Sequence, residues 1–388
     1  MTPAAPCRVW AALAATVFLA GAAHAQTAPP LPTVLSVTDL GTVRQNPLIE
    51  GRDGNFSVLV GATSLWAFDD TAMSRANATG QNFIDNTLSW TTNLDASTGI
   101  WLNHDLLDTT GTPTTFLGLT PAEQAIDAEH ATNANGTCAV APCGLSLAVW
   151  PAQVVADPVR HRVLFFFNEI SRITGNAAFT VLGAGVAVGT LGPNATLTVT
   201  RPPDEEPAGA NPALLWNAPE FGYANGAVVV DGTLYAYGQN PQGLVMDVPL
   251  ARAPLASATQ NSSWQYYAGN DTWSSDNSQA VTVFQGGAAG NSVFFNAYLG
   301  EYMAIYSEPL TDHVYYRVAA APWGPWSAQA LLFTGKAGES GTEDYAALAH
   351  TEFATGGGQT QYVTYVRTIG FLKMELRLVQ VVFGPPAP

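Results

Sequence analysis

The chain reads as all-β, and three features of the sequence predict it. An apolar run, a turn and a second, aromatic-rich run recur five times. A weaker pair of strand-like runs follows most of these copies, as at 314–318 with 328–333. No amphipathic pattern convincing as a helix extends beyond two turns. Five hairpins, most of them followed by a further strand pair, make five units of about four strands. That is the pattern of a five-bladed β-propeller with four-stranded blades. Two β-sandwiches would use the same strands, but no linker-like break in composition divides the chain, and 201–211 (RPPDEEPAGAN) reads as a surface loop. A single domain is therefore expected over 43–388.

The first copy, 51–71, is GRDGNFSVLVGATSLWAFDDT. Its runs 56–60 and 65–68 flank Gly61-Ala62, and glycine at the first loop position suits a two-residue type II′ turn. That turn puts Asp53 opposite Asp70, where cross-strand Cβ atoms lie about 4.5 to 5.5 Å apart. Like charges so close push their protonation apart, one kept as the acid and the other as base or nucleophile. Glycoside cleavage uses such a pair, at about 5 to 5.5 Å when configuration is retained and about 6.5 to 9.5 Å when it is inverted. Composition alone would make both of them solvated turn residues beside glycines.

The other copies follow in order. Residues 147–167 turn at Asp157-Pro158, and 226–237 turn at Asp231-Gly232, the strongest short hairpin signal in the chain. Residues 292–306 turn around 298–300, and 345–366 turn at 356–358.

Residues 1–25 have one charge, Arg8, an apolar stretch over 9–20 and a small-x-small end at Ala23-His24-Ala25. They read as a signal peptide cleaved after Ala25, so the protein is expected to be exported, to the periplasm or beyond the cell. Residues 26–42 are expected to run as an extended leader along the surface. The formal net charge of −16 argues against nucleic acid or an anionic membrane as partner. No later stretch is long and apolar enough for a membrane anchor. Cys138 and Cys143 remain in a short Gly/Asn/Ala-rich loop and are expected to form a local disulfide. A zinc reading lacks further ligands at matching spacing.

The motifs FxDT at 68–71 after RDGxxSV, VWP at 149–151, GxxVVxDGxLYxYG ending at Gly238, LARxP at 250–254, APWGPWS at 321–327 and AH at 349–350 resemble domain-of-unknown-function family 4185. The resemblance covers almost the whole chain after residue 25. It implies a five-bladed propeller related to arabinanases and invertases, some members being endo-D-arabinanases of glycoside hydrolase family 183. It also implies that Asp53 and Asp70 stand at the catalytic positions. The sequence departs from the pattern at Asp69, where the family usually has Gly, and at Thr351, where it often has Pro.

In a propeller the first strand of each blade lines the central channel, so residues that start it, or end its neighbour, rim one mouth. That rule selects Trp150, Asn168 and Glu169, then Glu220, Tyr223 and Asn225, then Asn291 and Tyr306, then Asp344 and Tyr345, with His350 deeper on the lining strand. Carboxylates, amides and rings around one funnel suit sugar recognition. Glu220 and Glu169 are further candidates for the acid. Trp150 and Tyr306 could equally be core rings, and His350 could bond a blade backbone or help hold a calcium ion in the channel. No cofactor is expected. The sequence thus favours a monomeric exported glycoside hydrolase acting on a polysaccharide, with arabinofuranose-containing glycans the suggested class. The alternatives are a non-catalytic carbohydrate-binding propeller and a protein-interaction propeller of the cell envelope.

Overall fold

The computed structural model describes residues 27–386, apart from 176–177, 192–196, 206, 208, 210, 243–244, 288 and 340–341. The expected signal segment 1–25 lies outside the described residues. The chain is all-β, and the described residues form five antiparallel sheets of four or more strands and one of three. The first sheet holds Phe56–Val60, Thr63–Phe68, Thr87–Thr91 and His104–Asp105, and the fourth holds Ser292–Asn296, Glu301–Ser307, His313–Ala319 and Ala330–Thr334. The second starts Leu145–Asp157, Arg162–Ile173 and Phe179–Leu191, and the third starts Gly226–Val230 and Thr233–Tyr237. These two sheets have five and seven strands, so the expected four-stranded unit is exceeded in both. The first strands of the first four sheets pack on one another in order, and the fourth touches Asp344–Ala349, first strand of the fifth. Bonds from Asn55 to Ala346 and between Ser57 and His350 then join the fifth sheet to the first.

The turns are where the sequence places them. Gly61 alone has positive φ in its two-residue loop, as a type II′ turn requires, while Asp231 and Gly232 both do, as type I′ requires. The core explains the apolar runs: 163–167 (VLFFF) is completely buried because a strand between two neighbouring sheets is covered on both faces. Each buried Phe there contributes roughly 1.5 to 3 kcal/mol.

Two expectations are corrected. The leader does not merely lie on the surface: Pro32–Thr42 is a strand paired antiparallel with Lys373–Pro386, forming the outer edge of the fifth sheet, so the fold begins before residue 43. A ten-residue α-helix, Pro121–His130, also exists. Its signal was present, because Thr120 and Glu123 make a capping box around Pro121 at the first helical position. Cys138 and Cys143 are disulfide-bonded beside it, as expected.

Candidate active site

The hairpin of the first sheet ends at Phe56 opposite Ala67, and a second small ladder resumes with Arg52 opposite Thr71. The same register runs through both ladders, so Asp53 and Asp70 fall at opposed positions in the gap between them. The gap exists because Gly54 and Asn55 take positive φ, which bends the strand out of the ladder. One bond bridges it, from the Asp69 N–H to the Asp53 carbonyl at 2.9 Å. Arg52 fixes the near side. Its buried guanidinium lies over the Phe68 ring at 3.4 Å and bonds Gln45, Thr87 and Ser89.

Three carboxylates meet here. The Tyr345 hydroxyl donates to Asp53 Oδ2 at 2.9 Å, while Asp53 Oδ1 is buried with no hydrogen-bond partner among the described residues. Burial, and then the Asp70 charge, push Asp53 up to about 7. Asp69 was not among the expected site residues. Its side chain packs on Gly54, where a Cβ would lie 2.9 Å from its Cγ, and its Oδ1 is also buried and unpartnered among the described residues. Burial, then Asp53 and Asp70, hold it well above the usual carboxylate range. The adjacent pair Asp69-Asp70 was the available signal for it.

Asp70 is held differently. Arg172 Nη1 donates to its Oδ2 at 2.6 Å, and Trp150 Nε1–H donates to its Oδ1 at 3.1 Å. Burial raises Asp70, and Arg172 and Trp150 draw it back. The other arm of Arg172 grips Asp85, which burial lifts to about 6. Arg172 was readable from strand alternation, since it shares parity with Asn168, but it was not singled out. The Trp150 ring meets Phe179 edge-on, with centroids 4.7 Å apart, and Phe179 is half exposed. The arrangement therefore sets one carboxyl poised near neutrality beside another gripped by a cation, which is what transfer of a proton in each direction requires.

The remaining expected contact residues separate into two groups. Asn168 Nδ2 donates to Asn225 Oδ1 at 3.4 Å, and the Asn291 N–H donates to the Asn225 carbonyl at 2.6 Å, linking the second strand of the second sheet to the residues that lead into the third and fourth. Tyr223, Asn291, Tyr306 and His350 are buried, and burial takes them out of the contact set. Tyr223 bonds Asn277 and packs on Trp216, while Tyr306 accepts a 2.6 Å bond from Arg317. His350 lies just past the end of its strand rather than on it, with both ring nitrogens engaged and its pKa depressed to about 3 by burial. Glu169 is walled in with Arg201 and Asn211 beside Glu123, so it does not face the carboxylates. Burial and Glu123 raise Glu169 to about 7. Glu220 is exposed on the loop that leads into the third sheet. Among the described residues no group of three His, Cys, Asp or Glu side chains could hold a metal ion.

Fold and site together define an all-β protein with a buried cluster of differently held carboxylates. Residues 201–366 match the model of the family described as Domain of unknown function (DUF4185), the family its motifs resemble. No curated protein matches the chain. Among solved structures, a candidate hydrolase from Bacteroides ovatus ATCC 8483 is 16% identical, with 87% of this chain and 86% of that one covered and a TM-score of 0.56, so the two share a fold. A GH43_1 enzyme from Xanthomonas citri complexed with xylotriose is 13% identical over 89% of each chain, with a TM-score of 0.48. The catalytic domain of a GH62 α-L-arabinofuranosidase from Coprinopsis cinerea is 11% identical over 90% of this chain and 98% of that one, with a TM-score of 0.47.

Proposed function

We propose that this protein is an exported, monomeric glycoside hydrolase built as a five-bladed β-propeller, the five larger sheets being its blades, and that it cleaves a polysaccharide. The observation that carries the reading is the unequal hold on two opposed carboxyls. Asp53, pushed up to about 7 and bonded by Tyr345, is the proton donor to the leaving oxygen. Asp70, fixed by Arg172 and Trp150, is the carboxylate that activates water or attacks the sugar. After burial it is the Asp70 charge that keeps Asp53 protonated, while Asp69, raised by burial and by both neighbours, stands beside them as a protonated acid. Trp150, Tyr345 and the amides of Asn168 and Asn225 line the approach for sugar hydroxyls and ring faces. Arabinofuranose-containing glycans are the first class to try, on the family resemblance. The disulfide suits an oxidising compartment outside the cytoplasm.

The test is release of oligosaccharides from a panel of plant and mycobacterial polysaccharides by the purified protein, with Asp70→Asn as control. One observation favours a second reading, a binding propeller without chemistry: both Asp70 oxygens already accept hydrogen bonds. Retained glycan binding with no product from any polysaccharide would establish that reading instead.

A further inference from the structure

Beneath Asp53 runs a buried chain of hydrogen bonds that joins the first and fifth sheets. Trp66 Nε1–H donates to Ser64 Oγ at 2.7 Å, and Ser64 and Ser57 hydroxyls each lie 2.6 Å from Glu352 Oε1. Ser57 Oγ is 2.6 Å from His350 Nδ1, and His350 Nε2 is 2.6 Å from Thr364 Oγ1. Thr364 Oγ1 is 2.8 Å from Asn55 Oδ1, and Asn55 Nδ2 donates to the Ala346 carbonyl at 3.2 Å. Trp66, Ser64, Thr364, Asn55 and His350 are all at most 1% exposed.

The protons in this chain can be counted from its ends. Asn55 Oδ1 only accepts, so the Thr364 proton points to it, and Thr364 Oγ1 must then accept from His350 Nε2–H. Each remaining short contact needs one proton between its heavy atoms, and Ser57 has one proton for two neighbours, His350 Nδ1 and Glu352 Oε1. If His350 is neutral and Glu352 ionised, one 2.6 Å contact is left with lone pairs on both sides. The chain closes only when His350 and Glu352 together carry one more proton than that state has.

We infer that Glu352 is a protonated carboxylic acid in the native protein at neutral pH, donating through Ser57 to a neutral His350 held as its Nε2–H tautomer, and that this chain positions Asp53 through Asn55. Of the two ways to place the extra proton, burial favours the one without separated charges. It raises Glu352 and lowers His350 accordingly. The groups facing the pair are Ser57, Ser64 and Trp66 from the first sheet, Asn55 before it, and Thr364 and Phe353 from the fifth, and none of these titrates near neutrality. The Trp66 ring stacks on the imidazole at 3.9 Å and keeps water off it. Ser57 stands between the imidazole and the carboxylate, so the three are not a nucleophile, base and orienting acid in that order.

The link to Asp53 is the Asn55–Ala346 bond. Both residues have positive φ, an uncommon backbone state for a residue with a side chain, and both adjoin the site: Asn55 follows Asp53-Gly54, and Ala346 follows Tyr345. The bond therefore fixes the two strands whose side chains meet as Tyr345 O–H on Asp53 Oδ2. Asn55, Thr364 and His350 are positioning residues on this view, and only their effect on turnover rests on the function proposed above.

The test needs no substrate. In long-range ¹⁵N–¹H spectra of the full protein, His350 should show the neutral Nε2–H pattern unchanged from pH 5 to 8, and the same pattern in Glu352→Gln, whose amide can donate to Ser57. A titrating imidazole, an Nδ1–H tautomer, a doubly protonated ring, or loss of the pattern in Glu352→Gln would each overturn the protonation assignment. For the positioning role, ¹³C-carboxyl titration should find Asp53 raised in Thr364→Val by about half a pH unit, since weakening the Tyr345 bond removes a stabiliser of its ionised form. Thr364→Ser, which keeps the hydroxyl, should restore it. An Asp53 titration unmoved in folded Thr364→Val, or unrestored in Thr364→Ser, overturns the positioning role whether or not any glycan is cleaved.

Discussion

At the scale of single residues, what separates Asp53 from Asp70 is their partners rather than their identity. Asp53→Asn and Asp70→Asn keep size and hydrogen bonding while removing the titrating group. Each is expected to lower turnover by about 10³-fold or more on the cleaved glycan, with the protein folded and sugar binding kept. If the two act as one unit, the double variant should be little worse than either single one, which steady-state kinetics on all three would read. Wild-type turnover in either single variant would move the assignment to Glu220, whose Gln variant is the next to measure. Asp53 also makes a stability prediction. Its folded pKa, about 7, lies above the 3.8 of an ordinary aspartate, so between about pH 4 and 7 the folded state binds more protons than the unfolded one. Its contribution is thus full below about pH 4 and lost as pH rises through 7. Asp53→Asn should flatten that decline and leave the protein more stable than wild type at pH 8, by a margin that shrinks at pH 5, in denaturant titrations at the two pH values.

At the scale of elements, the hairpin that carries the site was legible because its turn chemistry fixes its register. Gly61 sets the loop, the loop sets the pairing, and the pairing runs on past the end of the ladder to Asp53 and Asp70. Glycines at 51 and 54 allow a bulge at this strand end, but whether the strand bends could not be read, because that follows from what packs on it. Asp69 occupies the space a Cβ at Gly54 would take, and the chain answering Asn55 lies almost 300 residues away, at Ala346. Buried polar partners of this kind are set by tertiary contact, which is also why Glu352 and the enclosure of Glu169 could not be read, whereas Arg172 could have been from strand alternation. Gly54→Ala should show the dependence directly. Its φ of +86° is strained for alanine, and the new Cβ would sit 2.8 Å from the Asp69 nitrogen, so about 1 to 3 kcal/mol of stability should be lost together with activity. A variant melting like wild type would show that the bend does not depend on glycine. The Cys138–Cys143 bridge should behave oppositely. It closes a short loop at the surface, so replacing both with Ser should leave the fold intact and cost no more than a few kcal/mol in a thermal melt.

At the scale of the whole molecule, the five sheets form a closed sequence of neighbours, and the chain's two ends supply one of the closures. Pro32–Thr42 pairs with Lys373–Pro386 along its length, yet most of its side chains are exposed, with Leu35 59% accessible and Val37 43%. Its value therefore lies in backbone pairing and in a few ties. The Tyr316 hydroxyl donates to the Pro32 carbonyl at 2.8 Å, and Asp39, lowered by the Gly41 N–H and then by Arg377, accepts from the buried Arg377 guanidinium and raises it. An extended run along the surface is consistent with such an edge strand, where side chains face water and only the backbone is committed. A protein begun at Val43 would leave the backbone of Lys373–Pro386 open along one side, beside the buried Val379, Val381 and Phe383, and would strand the Arg377 charge near the core. It should melt well below the full chain and associate through the exposed edge, in scanning calorimetry and size-exclusion chromatography at rising concentration. Adding the 32–42 peptide in excess should recover part of the lost melting temperature, because an open edge binds a matching strand by mass action. A truncated protein that stays monomeric with an unchanged melting point would show that the sheets hold one another closed without this strand.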